Sequence, residues 1–410
     1  MGQEQRFSAL YVRDFRLFWF GQIISLSGTW MHSVAQSWLV YSLTKSPLYL
    51  GIIASLSSMP ILLFTLFGGM VADRHPKRNI LITTHVLSIM PALAVALLSD
   101  MNIITVWHVG IAAFFLGTVN AFDVPARQAF LGEVVEKADI TNAIALNSAA
   151  FNGARIIGPV IAGYIIASLG IPACFYINAI SFIPVIFALS KIKAIGKSGA
   201  SHEPPSVRNF MAGIVAGWRF VAKERRILYI MSLISVFSLF GIPYITLLPV
   251  LAVEVLNTGA KGLSLLVASA GAGSFIAAIT IAFKGEIKRK DIYIPLSGLI
   301  FSLSVFAVAF SKSIYISMSL LFFAGLGIVS FLAASNSFIQ HAVPDHLRGR
   351  IMSLYTLVFL GFSPIGNSSI GITAHLLGTI SSLKIFAIVC IIGSIIFSKL
   401  FRREASKQVI

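Results

Sequence analysis

Residues 68–81 read GGMVADRHPKRNIL. An apolar stretch ends there in Asp73, Arg74, His75, Pro76, Lys77 and Arg78, and a second apolar stretch begins at once. A charged turn this short makes physical sense only if both flanking runs leave water while the turn stays in it. The composition agrees. Of 410 residues, 57% are hydrophobic and 11% charged, and the mean hydropathy is +0.89. A soluble chain of this length needs roughly a quarter of its residues charged to coat its surface. Most of this surface therefore faces lipid.

About 20 apolar residues cross a bilayer as a helix. That rule predicts an all-α membrane protein with twelve spans, near 15–42, 48–72, 79–99, 103–126, 142–169, 172–193, 227–256, 262–284, 291–311, 315–341, 349–377 and 380–401. One long polar interruption, over 194–226, carries GKSGASHEPPSVRN and then the amphipathic FMAGIVAGWRFVAKERR. The expected organisation is a six-helix bundle over 1–193, a cytoplasmic linker with an amphipathic helix over 194–226, and a second bundle over 227–410. The first 14 residues, MGQEQRFSALYVRD, hold no apolar core long enough for a cleavable signal. The first span is expected to serve as its own insertion signal.

The net charge of +16 would suit a nucleic-acid binder if it formed one patch. It does not. Of the 31 lysines and arginines, only Lys45, Lys261, Lys312 and Lys384 fall on the side away from the termini, and Arg155 lies inside the fifth span. All the others fall on the side of the termini. This is the positive-inside pattern, so both termini are expected in the cytoplasm of a multi-pass cell-membrane protein (the inner membrane in a Gram-negative cell). No nucleic-acid partner is implied. Cys174 and Cys390 sit in apolar runs and read as small buried hydrophobes rather than a disulfide or a metal site.

The halves repeat. A shift of 208 residues pairs Phe130 with Phe338, Leu146 with Leu354, Phe151 with Phe359, Gly153 with Gly361, Gly158 with Gly366 and Gly163 with Gly371. Two related six-helix halves are a transporter architecture.

GGMVADRHPKR also resembles motif A of the major facilitator superfamily, G-x-L-a-D-r-x-G-r-k. Gly69, Asp73, Arg74, Lys77 and Arg78 match, and Pro76 stands where glycine is usual. The resemblance implies a cytoplasmic latch linking spans 2, 4 and 11, with Asp73 as its carboxylate and Arg74 and Arg78 as its cations. Gly69 is expected to let a neighbouring helix approach. The second half keeps a remnant, KGEIKRKDI, with Gly285 where an aspartate would stand, which implies a one-sided latch. FDVPARQAFLGEVV, NAIALNSAAFNGARIIGPVIAG and VPDHLRGRIMSLY are similar to the branch containing enterobactin-type siderophore exporters, macrolide efflux pumps and lysophospholipid transporters. Within them GARIIGPVIAG resembles the antiporter motif C, with Gly153, Gly158, Pro159 and Gly163 in place and Ala162 where glycine is usual. Its glycines read as packing seams.

Ionisable residues at membrane depth are costly and ask for a role. Asp123 lies four residues before Arg127, on one helix face. It reads either as a structural latch pair, with Arg78 as a further partner, or as a proton-carrying carboxylate. Glu254 reads as an outer-gate residue or a coupling site, and His32 as a packed hydrogen-bonding residue or a proton carrier. Arg155 reads as paired with a helix-end acid or backbone, or as an anchor for an anionic group of the cargo. Gln22, Trp30, Gln36, Trp38, Asn120, Asn147, Asn152, Tyr244, Asn336, Tyr355 and Asn367 gather polar and aromatic character within spans. Under the resemblance, spans 1, 4, 7 and 10 line a central cavity, and this set suits an amphipathic, anionic cargo.

No phosphate loop for ATP is present, nor an HExxH or GxSxG motif, so an enzyme and direct ATP drive are not expected, and no cofactor or metal is implied. The expected function is a monomeric, proton-coupled exporter of a siderophore or drug-like amphiphile, working by alternating access. A lysophospholipid flippase and a siderophore importer are the alternatives.

Overall fold

The computed structural model describes residues 8–192, 217–284 and 289–407, with Val215 and Ile287 besides. Most of the expected linker over 194–226, and Gly285 of the motif A remnant, lie outside the described residues. From Gly217 to Lys223 the chain is helical. Every regular element among the described residues is a helix. In lipid this is a necessity, because each backbone N–H and C=O must find its partner within the segment.

After one turn at Ser8–Tyr11 the helices are α1 (Arg13–Thr44), α2 (Pro47–Arg74), α3 (Lys77–Asp100), α4 (Val106–Val134), α5 (Ile140–Leu169) and α6 (Ile171–Lys191). They continue as α7 (Arg225–Val255), α8 (Gly259–Lys284), α9 (Lys290–Val308) and α10 (Ile314–Ala342). The chain ends in α11, in two segments (Asp345–Gly361 and Ser363–Leu377), and α12 (Thr379–Lys407). Each predicted span has its helix. Eleven of them are long and apolar enough to cross a membrane. The remaining one is α1, where Gln22, Ser25, His32 and Gln36 dilute the apolar character. Helices also outrun the predicted spans: α4 continues to Val134 instead of stopping at 126, which brings Glu133 into it.

Short joints hold consecutive helices together. Gly170 alone connects α5 to α6 with φ +86°, and Gly378 alone connects α11 to α12 with φ +85°. Only glycine takes such angles without strain. The two joints lie 208 residues apart, the same interval as the sequence repeat.

By its contacts the chain resolves into two compact units. Unit 1 comprises Met1–Lys45, Leu56–Glu203 and Gly259–Ala268; unit 2 comprises Ser46–Ser55, Pro204–Thr258 and Ser269–Ile410. The first turns of α2 thus belong to unit 2, where the Cα of Gly371 lies 2.8 Å from the place a Gly51 Cβ would take and Ser55 Oγ donates to Pro364 O at 2.7 Å. The first turns of α8 belong to unit 1, where Ser264 Cβ lies 2.7 Å from the place of a Gly163 Cβ.

Unit 1 is built on unbroken helices. Its core gathers Phe15, Phe18, Leu81, Phe130 and Leu189, with the Phe18 and Phe130 rings edge to face at 5.3 Å. A Cβ on Gly158 would stand 2.6 Å from Ser27 O, so α5 meets α1 backbone to backbone. Trp19 Nε1–H donates to Leu146 O at 2.9 Å and fixes the register of that seam.

Unit 2 contains two interrupted helices. In α7 the α-helix stops at Val236, a π-helical turn follows over Phe237–Gly241, then a 3₁₀ segment over Ile242–Leu247, and a second π-helical turn over Leu251–Val255. Pro243 and Pro249 remove two N–H donors from this stretch, which is one cause of the break. Helix α11 breaks at Phe362, just before Pro364. The two breaks are joined to one another. Ser238 Oγ donates to Phe359 O at 2.6 Å, and Thr246 Oγ1 donates to Asn367 Oδ1 at 3.1 Å.

Candidate functional site

The charged turn between α2 and α3 does not gather its residues into one cluster. Lys77 is buried and pairs with Glu133 of α4, Nζ to Oε1 at 3.0 Å. Arg78 was expected as a partner of Asp123. It instead donates from Nε to Leu189 O at 2.7 Å and from Nη2 to Ser190 O at 2.8 Å, closing the carbonyl end of α6. Asp73 and Arg74 are exposed, and no ion pair among the described residues involves them. The close helix approach expected at Gly69 falls one residue earlier. A Cβ on Gly69 would meet nothing within 4 Å, whereas Gly68 backs onto the Ala121 carbonyl of α4. One residue is about 100° of helix rotation, which is why the neighbour matters.

Asp123 forms its own cluster, buried between α3 and α4. Its Oδ1 accepts from Thr84 Oγ1 at 3.0 Å, and its Oδ2 lies 3.3 Å from Arg127 Nη2. His85 Nδ1 lies 3.6 Å from Oδ1 and 2.6 Å from Leu81 O, with Phe182 of α6 set edge-on to the ring. The carboxylate is thus matched by a neighbouring guanidinium and a hydroxyl, the condition under which a buried charge is tolerated. His85, Thr84 and Glu133 escaped the sequence reading. Glu133 was lost because the apolar run ends before the helix does, and single polar residues such as Thr84 and His85 carry no periodic signal.

On α1 and α5 a second group faces outward from the seam. The Arg155 guanidinium lies over the Trp30 ring at 5.4 Å, and Phe151 meets Trp30 edge to face at 5.7 Å. Arg155, Trp30 and Asn152 are half-buried, and Phe151 is exposed. A guanidinium laid on an indole has one face of its plane shielded by the ring, a cation–π contact. Asn152 is committed to its own helix, donating to Ser148 O at 2.9 Å. Asn147 is half-buried and Asn120 exposed. Gln22 is buried, and its Oε1 meets no donor among the described residues. Trp38 packs near Gly259, 3.9 Å from the place of a Cβ there. His32 and Gln36 belong to a hydrogen-bonded chain along α1. Of the motif C residues, Gly158 and Gly163 are close-approach points and Pro159 is buried. Gly153 is a correction: a Cβ there would meet nothing within 4 Å, so it forms no seam.

In unit 2, Tyr244 is buried with its ring edge-on to Phe301 at 5.7 Å. Tyr355 hydrogen-bonds Asn336, which accepts from Gln340 Nε2 at 2.6 Å. Glu254 is exposed on the second π-helical turn of α7.

Comparison with known proteins decides the family. The model of the transmembrane secretion effector family matches residues 5–409. The chain belongs to that family, within the major facilitator superfamily. Among its relatives, the Staphyloferrin A transporter of Staphylococcus aureus is 26% identical over 93% of this chain and 95% of its own. Macrolide efflux protein A of Streptococcus pyogenes is 20% identical over 86% and 87%, and the multidrug efflux pump Tap of Mycolicibacterium fortuitum 24% identical over 85% and 86%. Among solved structures, a POT family transporter in complex with 5-aminolevulinic acid superposes with a TM-score of 0.75 at 12% identity, covering 95% and 96% of the two chains. The nucleoside transporter NupG gives 0.75 at 14% identity, covering 95% and 99%. The family's members are membrane transporters and not enzymes, and the relatives mark this chain as one of siderophore or drug-efflux type.

Proposed function

We propose that the protein is a proton-coupled exporter of an amphiphile that carries an anionic group, either a siderophore or a drug-like molecule. It works as a monomer by alternating access, with both termini in the cytoplasm. The observation that carries this reading is the Arg155 guanidinium laid over Trp30 beside Phe151, on a half-buried face of membrane-spanning helices. A cation at this depth is costly unless it has work to do. A guanidinium beside an indole can recognise an anionic group through charge-assisted hydrogen bonds, and the Trp30–Phe151 ring pair offers the apolar remainder an aromatic surface. Asp123 is the buried carboxylate within reach of proton coupling, which would require its pairing with Arg127 to open during the cycle, and Asp73 with Arg74 is the part of the charged turn left to act in the conformational change.

The test uses inverted membrane vesicles and two xanthene dyes of opposite charge, fluorescein and rhodamine 6G. Native protein is expected to accumulate fluorescein in a manner that a protonophore abolishes. Arg155→Ala is expected to lower fluorescein uptake about tenfold more than rhodamine uptake, the value of one charge-assisted hydrogen bond. Equal losses for the two dyes would overturn the anion anchor, and uptake indifferent to protonophore would overturn proton drive. Asp73→Asn is expected to slow turnover with dye affinity unchanged.

A further inference from the structure

Unit 1 also holds a chain of four polar side chains that crosses three helices. Asn178 Nδ2 of α6 lies 3.1 Å from His32 Nδ1 of α1, and His32 Nε2 lies 3.3 Å from Gln36 Oε1. Gln36 Nε2 donates in turn to Ser57 Oγ of α2 at 3.4 Å. His32 and Asn178 are only 5% and 2% exposed, whereas Gln36 and Ser57 are half-buried. Phe175 closes the other side of the imidazole, edge to face at 4.8 Å. The chain therefore begins in the core of the unit and reaches a half-buried face of the α1–α2 pair.

Its polarity follows from counting donors. A carboxamide nitrogen only donates, so Nδ1 of His32 must accept from Asn178. The single ring proton then sits on Nε2 and is donated to Gln36 Oε1. With its oxygen engaged, Gln36 turns its NH2 away from the ring, one N–H to Ser57 and the other left over. The Asn178 oxygen faces the Ser181 hydroxyl at 3.5 Å, which agrees with this orientation. A second ring proton would set donor against donor at Asn178. Nor does a carboxylate answer it: none of the ion pairs among the described residues includes His32. The groups that meet the ring are Asn178 and Phe175 of α6 and Gln36 of α1. Arg155 of α5, the charged residue over nearby Trp30, is itself a cation.

We infer that His32 is a positioning residue, held as the neutral Nε2–H tautomer, which orients the Gln36 carboxamide so that the N–H not given to Ser57 is presented to an oxygen acceptor of the cargo, a carboxylate or a carbonyl. The inference deepens the transport reading and rests on it for the word cargo, but the tautomer can be read without any cargo. The buried His32–Asn178 pair, matched donor to acceptor, is the rigid supporting layer that holds a contacting amide to one orientation.

The experiment is ¹⁵N NMR of histidine-labelled full-length protein in lipid nanodiscs, with the His32 signals identified by their loss in His32→Gln. The expected result is an unprotonated Nδ1 and a protonated Nε2, unchanged between about pH 5.5 and 8, the range in which a free imidazole would titrate. Asn178→Asp places an acceptor opposite Nδ1 and is expected to move a proton there. A native Nδ1–H tautomer, or proton uptake by His32 in that pH range, would overturn the inference. In the vesicle assay His32→Gln, which has one accepting oxygen and one donating nitrogen, is expected to keep fluorescein uptake and its pH profile. His32→Leu is expected to raise KM for fluorescein about fivefold with the maximal rate retained, the loss of one oriented hydrogen bond. Abolished uptake in His32→Gln would make His32 a proton carrier and sink the proposal. If native protein moves no dye at all, the transport reading fails, while the tautomer result still decides the role of His32 within the unit.

Discussion

Gly158 of unit 1 and Gly366 of unit 2 stand 208 residues apart and make the same contact with different partners. A Cβ on Gly158 would lie 2.6 Å from Ser27 O, on a helix unbroken over 32 residues. A Cβ on Gly366 would lie 2.7 Å from Leu239 O and 2.8 Å from Pro243 Cγ, on a helix that passes through π and 3₁₀ turns at that level. The repeat kept the seam where two backbones touch but not the stiffness of the element across it. Unit 1 also carries the pairs Lys77–Glu133 and Arg127–Asp123, with His85 beside Asp123. Unit 1 is braced by continuous helices and buried charge; unit 2 joins two interrupted helices by hydroxyl and amide hydrogen bonds.

The largest effect expected from this contrast is at the seams. Gly158→Leu should cost more than about 3 kcal/mol, since it forces a side chain into a backbone that cannot give way. Gly366→Leu should cost less, because the broken helix has room to shift. Thermal unfolding of detergent-solubilised protein measures both, and equal midpoints would mean that the interruption of α7 confers no compliance. Next, Asp123→Ala should destabilise by about 2 kcal/mol, because the half-buried Arg127 loses its carboxylate and Thr84 loses its acceptor. The double variant Asp123→Leu, Arg127→Met should recover most of that loss in the same measurement.

A smaller effect concerns α7 itself. Replacing Pro243 and Pro249 with alanine restores two N–H donors and should slow hydrogen exchange of amides over 237–255 about fivefold, or about 1 kcal/mol. Amides over 21–40 in α1 should be slow already and stay unchanged. Exchange as slow in native α7 as in α1 would break the comparison. The smallest effect separates neighbours in sequence. Gly69→Ala and Gly153→Ala should each fall within about 0.5 kcal/mol of the native protein. Gly68→Ala, whose Cβ would strike the Ala121 carbonyl, should not.

What the sequence made legible was whatever lipid dictates. Span number and length follow from the bilayer, and each predicted span has its helix. The repeat at 208 residues reappears as the Gly170 and Gly378 joints, because both positions require a backbone angle that glycine alone takes easily. Other features needed the packing. Pro243 and Pro249 are visible in the sequence, yet the π turns also answer to Gly366 and Ser238, which come from elsewhere in the chain or bond there. Motif A was legible as a turn, but not in the direction of its side chains: Lys77 and Arg78 point into their own unit, to Glu133 and to the end of α6. Asn178 and Ser57 gave no sign of themselves, since a lone amide or hydroxyl in an apolar helix becomes informative only when His32 and Gln36 are found beside it.

Arg78 holds the carbonyls of Leu189 and Ser190, in the last turn before the chain leaves α6. The last turn of α6 is thereby fastened to the charged turn between α2 and α3. Arg78 therefore ties the position of the α2–α3 turn, where Asp73 and Arg74 stand exposed, to the end of α6 in addition to the packing of α3 on that helix.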